Sequence, residues 1–262
     1  MAKGLAVGLL TAVLFSFTLI FIPAGASALT TSGSTAIIDW DTFLITLDPG
    51  VSLAWTSQDD YTYADAWNDT AGGSGYTDDS SSSWDNLSSW AVVGFSPDYS
   101  TGHGWTSGSE VGESVFASSN TSGVYGSAYA YAGRWGDFTV TGSGNITFSI
   151  DYSLTENLST SGLGDYSVGN ARAGLYLGNN DGYGLAEESN LYNEVYNGMT
   201  DSWSQNGTFN ITLNFDDSDT GYFEAYVYNA AEVAVPEPST LFLLGSGLIG
   251  LAAFGCRRRF NQ

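Results

Sequence analysis

The sequence predicts an all-β protein: an antiparallel two-sheet β-sandwich of jelly-roll-like form, flanked by an N-terminal signal peptide and a C-terminal transmembrane helix. Three observations carry this expectation. Glycine is abundant, at 33 of 262 residues, aromatics make up 15%, and proline numbers only 5, with none between Asp98 and Val235. Apolar and aromatic residues recur with period two in short runs, which is the side-chain period of a strand. Turn residues, such as Asp48-Pro49-Gly50, separate the runs.

TAIIDWDTFLITL and VSLAW open the domain as two strands on either side of that turn. YTYADAW follows, with Tyr61, Tyr63, Asp65 and Trp67 on one face. Residues 68–88 are rich in Gly, Ser and Asp and predict a flexible solvated loop. SWAVVGFSP reads as a short strand ending at Pro97. In SGVYGSAYAYAGRWG, Tyr125, Ser127, Tyr129, Tyr131 and Trp135 share one face, and Val124, Ala128, Ala130 and Ala132 share the other.

DFTVTGSGNITFSIDYSL predicts a hairpin through Gly142-Ser143-Gly144, with Ile146, Phe148, Ile150 and Tyr152 aligned. ARAGLYL aligns Ala171, Ala173, Leu175 and Leu177. A short helix is expected around Leu185–Tyr196, where Ala186-Glu187-Glu188 has helical preference. TFNITLNF and YFEAYVYNA, joined by DDSDTG, predict a second antiparallel hairpin. Phe209, Ile211, Leu213 and Phe215 share a face of its first strand. Phe223, Ala225 and Val227 oppose Tyr222, Glu224, Tyr226 and Tyr228 on its second. The exported domain, 29–235, is long enough for one sizeable core, and it shows no second domain and no repeat of fixed period.

Asp and Glu number 28 against six Lys and Arg. Every acid except Glu237 lies in 29–235, where only Arg134 and Arg172 are basic. Such a surface repels phosphate backbones, which excludes nucleic acid as a partner and leaves neutral glycans, cations and proteins. The single cysteine, Cys256, excludes an internal disulfide and a cysteine-based zinc site. It reads as a small apolar residue of the terminal segment.

Both termini read as targeting segments. Residues 1–28 form a secretory signal peptide: Lys3, an apolar stretch from about Gly4 to Ile22, then Ala26-Ser27-Ala28, where signal peptidase is expected to cut after Ala28. At the other end, residues 236–262 follow a different plan. Pro236 and Pro238 lack backbone N–H groups and hold the chain extended outside any sheet ladder. Residues 239–256 carry no charge and would span roughly 27 Å as a helix, close to a ~30 Å hydrocarbon core. Arg257, Arg258 and Arg259 then act as a cytoplasmic stop-transfer signal, which leaves residues 29–235 outside.

Pro236-Glu237-Pro238-Ser239-Thr240, an apolar helix with Gly245, Gly247 and Gly250, and the arginine triplet together resemble the PEP-CTERM protein-sorting domain. The resemblance covers about residues 235–259. It implies recognition by exosortase, an integral-membrane cysteine transpeptidase, and processing at or near Pro236-Glu237-Pro238. It also implies a Gram-negative bacterial source, transient anchoring in the inner membrane, and transit to the cell surface or an extracellular polysaccharide matrix.

Within 29–235 the sequence predicts no catalytic residues. His103 is the only histidine and stands in the loop-like Thr101-Gly102-His103-Gly104-Trp105; no Gly-Xaa-Ser-Xaa-Gly elbow accompanies it. Glu110 with Glu113, or Glu187 with Glu188, could supply a glycosidase pair. They stand out only because Glu is scarce, and a non-enzymatic chain is expected. No cofactor is expected. Calcium is a candidate ligand of two oxygen-rich loops, at Asp217 and Asp219 and at Asn180 and Asp181, because hard cations gather oxygens on tight turns. The same residues are ordinary in turns. Seven Asn-Xaa-Ser/Thr triplets are at the level that abundant Ser and Thr produce. The expected role is structural or adhesive, in the envelope or the exopolysaccharide matrix. The alternative is a carbohydrate-binding, lectin-like module whose Trp and Tyr stripes face solvent and stack on sugar rings, while the competing use of those aromatics is to fill the core.

Overall fold

The computed structural model describes residues 29–180 and 182–236. The expected signal peptide at 1–28, the segment from Glu237 to Gln262 and Asp181 lie outside the described residues. All regular structure within them is strand. In chain order these are β1 (Thr30–Leu47), β2 (Ser52–Trp55), β3 (Asp59–Asn68), β4 (Gly73–Ser81), β5 (Leu87–Phe95), β6 (Asp98–Thr106), β7 (Glu110–Ser119), β8 (Val124–Thr141), β9 (Gly144–Ser159), β10 (Tyr166–Asn179), β11 (Gly184–Tyr196), β12 (Thr200–Phe215) and β13 (Thr220–Val235).

They form two antiparallel sheets packed as a sandwich. The six-stranded sheet runs β12-β9-β1-β7-β6-β5, and the seven-stranded sheet runs β11-β10-β13-β8-β3-β4, with β2 also paired to β8. The expected period-two faces hold. Ile146, Phe148 and Ile150 are buried, as are Ala171, Ala173, Leu175 and Leu177, and Phe223, Ala225 and Val227. The alanines of β8 point inward and its tyrosines outward.

Four expectations are corrected. The stretch 185–196 is not a helix but edge strand β11, paired along its length with β10. Long-range pairing outweighs a weak local preference there. The flexible loop expected at 68–88 contains β4, in which Gly73–Ser81 pairs with Asn68–Asp60 of β3. A Gly/Ser-rich segment offers few side chains to anchor it, but its backbone donors and acceptors still satisfy a sheet edge, and Tyr76 stacks on Tyr63. The two expected hairpins do not form. β8 and β9 belong to different sheets, and so do β12 and β13. Their turns carry the chain from one layer to the other, so both flanks present apolar residues to a shared interior rather than to each other.

The interior has two unlike halves. In one, Trp40, Phe43, Trp55 and Trp84 pack on Phe138, Phe148 and Phe223. Trp40 stacks on Phe43 with ring centroids 4.6 Å apart, and Phe148 on Phe223 at 5.1 Å. The register shift in β1 between Asp39 and Leu44 lies at Trp40 and Phe43. In the other half the facing residues are mostly small, Ala, Gly and Ser with Val115 and Val233. A Cβ at Gly102 would stand 2.6 Å from the Tyr129 carbonyl oxygen, and one at Gly104 would stand 2.6 Å from that of Tyr131. Only glycine permits this approach of two backbones. Hydroxyls bridge the layers here: Ser34 Oγ donates to the Ala230 carbonyl at 3.2 Å, and Ser167 Oγ donates to that of Thr31 at 2.7 Å.

Candidate functional site

The outer face of the seven-stranded sheet is built from the tyrosines of β3, β8 and β13. Register places Tyr63 beside Tyr131, and Tyr131 beside Tyr228. The rings of Tyr76, Tyr63, Tyr131 and Tyr226 form a row across four strands. Successive centroids are 6.3, 5.8 and 6.3 Å apart, and successive ring planes are inclined by 28°, 7° and 14°. Glycines make room for the rings. A Cβ at Gly133 would meet the Tyr131 hydroxyl at 2.5 Å, and one at Gly174 would meet Tyr226 Cζ at 2.5 Å. The rings therefore lie down over glycine backbone, as aromatics do beside strand glycines.

Carboxylates stand between the tyrosines. Glu224 accepts from Tyr131 at 3.2 Å and from Tyr222 at 3.3 Å, and Glu232 accepts from Tyr129 at 2.8 Å. Glu188 accepts from Tyr226 and pairs with Arg172, whose guanidinium lies 5.9 Å from the centroid of the Tyr226 ring. Burial, with the Glu188 hydrogen bond, pushes the Tyr226 hydroxyl up to about 12. Burial does the same to Tyr63. The Tyr226 hydroxyl thus stays protonated and donates to Glu188. Tyr61, Tyr63, Tyr131, Trp135, Tyr222 and Glu224 line a shallow depression of about 320 Å³.

The six-stranded sheet carries a second groove of about 320 Å³, where Trp90, His103 and Phe116 flank Thr31, Thr35, Thr101 and Asn157. His103 lies on strand β6, not in a loop. It packs between Trp90 and Trp105, with centroids 4.8 Å away on each side. Its Nε2 lies 3.0 Å from Ser88 Oγ, and burial lowers its pKa.

Neither glutamate pair converges. Glu110 Oε2 accepts from the Trp105 indole at 3.3 Å, whereas Glu113 is fully buried between the sheets. Glu188 faces Arg172, whereas Glu187 accepts the Asn210 amide at 2.7 Å.

The two oxygen-rich loops are neighbours, since the Asn180 amide donates to the Thr220 carbonyl at 3.0 Å. The carboxylates of Asp217 and Asp219 are engaged as turn acceptors. Asp217 Oδ1 takes the Gly142 amide at 2.7 Å, and Asp219 Oδ2 takes that of Asp216 at 2.8 Å. Among the described residues no group of three His, Cys, Asp or Glu is placed to hold a metal ion.

Pro236 follows directly on β13, whose last residue, Val235, accepts the Gly123 amide at 2.6 Å. The proline-rich segment therefore begins where a central strand ends. Glu237, Pro238, Arg257, Arg258, Arg259, Ala26, Ala28 and Asp181 lie outside the described residues.

A family model described as the PEP-CTERM protein-sorting motif matches residues 234–259. The tail thus carries this motif, which implies export, membrane anchoring before processing, and recognition by an exosortase-type system. No curated protein matches the chain. Among solved structures, a carbohydrate-binding module (TmCBM61, in complex with β-1,4-galactotriose) is 14% identical. That match covers 36% of this chain and 69% of the module, with a TM-score of 0.12. The C-terminal globular domain of an oligosaccharyltransferase from Pyrococcus abyssi is 8% identical over 70% of this chain and 49% of its own, also at 0.12. A 7S globulin of Momordica charantia is 5% identical over 81% and 75%, again at 0.12. Likeness at this level carries no functional argument.

Proposed function

We propose that this is a non-enzymatic exported protein, a jelly-roll-like sandwich delivered by an exosortase-type system to the cell surface or the extracellular polysaccharide matrix, where it serves a structural or adhesive role. The PEP-CTERM match at 234–259 is the observation that carries this reading. The divergence of both glutamate pairs and the packing of His103 between two indoles support a non-catalytic role. Fractionation of cells with and without the sorting enzyme tests the proposal. Loss of surface or matrix protein, with full-length chain accumulating in the membrane of the enzyme-deficient cells, is expected. Full-length chain retained in the membrane of both strains would sink it.

One observation favours the second reading, a carbohydrate-binding module: the tyrosine row faces outward rather than into the core. A glycan array with the purified protein separates the two readings. Specific micromolar binding that is lost on replacing outward tyrosines supports the module.

A further inference from the structure

The tyrosine face combines flat rings with a dense set of carboxylates. Asp65, Asp78, Glu224 and Glu232 share its outward positions with Tyr63, Tyr131, Tyr226 and Tyr228. The two basic residues among those described are both paired, Arg134 with the buried Asp60 and Arg172 with Glu188. One end of the ring row already shows what this chemistry does. There a tyrosine ring and a carboxylate hold a cation, the Arg172 guanidinium, between Tyr226 and Glu188. The depression around Tyr131 repeats the pair: rings from Tyr61, Tyr63 and Trp135 surround Glu224.

We propose that this face binds a polysaccharide that carries free amino groups. Its sugar rings lie on the tyrosine row, and its protonated amines meet Glu224 and the neighbouring carboxylates. Sugar rings stack on flat aromatic faces. A cation next to such a face gains further from the ring quadrupole. Acidic glycans are repelled here. A neutral glycan gains the stacking but not the charge. A second copy of the chain would bring like carboxylates together, which weighs against this face as a self-interface. The proposal rests on the adhesive reading for its biological setting. It is tested on purified protein, so its failure leaves the sorting assignment standing, and a failed fractionation leaves the binding result standing.

The test is isothermal titration of the purified full chain in detergent, at mildly acidic pH, with a glucosamine hexamer, its fully N-acetylated counterpart and cellohexaose. The amino hexamer is expected to bind about tenfold more tightly than either neutral hexamer, with affinity falling as salt rises. Glu224→Gln keeps an acceptor for Tyr131 and Tyr222. It is expected to weaken amine binding about three- to tenfold without changing the melting temperature. Tyr63→Ala should weaken all stacking; if it does not fold, Glu224→Gln still decides. Three outcomes would each overturn the proposal: equal binding of amino and acetylated hexamers, no binding, or amine binding unchanged in folded Glu224→Gln. So would sedimentation that shows self-association abolished by Tyr63→Ala, which would make the face a contact between copies.

Discussion

The two halves of the interior solve the same packing problem in opposite ways. Around Phe148 and Phe223 the sheets are held apart by large rings, and stability comes from buried aromatic area. Around Gly102 and Gly104 they close until a glycine backbone meets a carbonyl oxygen. Little apolar area is available there, so serine hydroxyls join the layers instead. The close half also contains buried polar atoms that lack a partner, whereas the buried pair of Arg134 and Asp60 lies against Trp40 in the ring-filled half. Glu113 has both carboxylate oxygens without a hydrogen-bond partner among the described residues, and Ser100 Oγ, Asn68 Nδ2 and Asn229 Oδ1 are likewise unpartnered. A thick, ring-filled half thus sits beside a thin half of small residues, and outward tyrosines cover the thin half's alanines from behind.

This contrast predicts opposite responses to a change of side-chain size. The largest effect is expected from Phe223→Ala, which opens a cavity in the thick half and should cost about 3–5 kcal/mol in chemical denaturation. A loss below about 1 kcal/mol would show that this half collapses around the gap. Next comes Gly104→Ala, one added carbon in the thin half. The carbonyl it meets is backbone and cannot rotate away, so about 1–3 kcal/mol should be lost. A neutral result would mean that the sheets separate freely.

The acids of the interior give the third effect, read as pH dependence. Burial raises Glu156 from 4.5 to about 7 and raises Glu113 well above its usual range. A raised carboxyl binds more protons in the folded chain than in the unfolded one. Its contribution is therefore full below about 4.5 and is lost as pH rises through the folded value. The melting temperature should fall by on the order of 5 °C from mildly acidic to mildly alkaline solution. Glu113→Gln should flatten that slope, and an unchanged slope would mean that this carboxyl is ionised and solvated. The smallest effect is expected from Tyr131→Phe, which removes one hydroxyl donated to Glu224. About 0.5–1.5 kcal/mol should be lost, and a larger loss would mean that the outer face, not the interior, holds the thin half together.

Much of this was legible in the chain. Alternation in ARAGLYL and ITFSI identifies their buried residues correctly, because side-chain parity is set by the backbone of each strand alone. Parity does not say which side is the inside. In SGVYGSAYAYAGRWG either the alanines or the tyrosines could face the core. The decision rests on glycines in other strands: Gly102 and Gly104 admit the alanine side, and Gly174, together with Gly133 of β8 itself, makes room for the tyrosine side. The candidate site was readable as a stripe but not as a platform for the same reason. The row runs perpendicular to the strands, through residues more than 100 positions apart.

The misread elements have one cause. Gly142-Ser143-Gly144 and Asp216–Asp219 are sound turns, but a turn does not dictate whether its flanks pair with each other. Each flank found a partner elsewhere, β8 with β13 and β9 with β1 and β12. At 185–196 the helical preference of three residues yielded to twelve paired positions along β10.

The sequence by itself determined many of the strand-forming segments and their two faces, the acidic surface, and the sorting motif at 234–259, because these depend on local periodicity, composition and short-range order. Tertiary structure alone decided which turns became crossings between sheets, which face of each strand turned inward, and how four tyrosines from four strands came into one row. Those choices are made between residues far apart in the chain, where sheet register and the spacing between layers outweigh local preference.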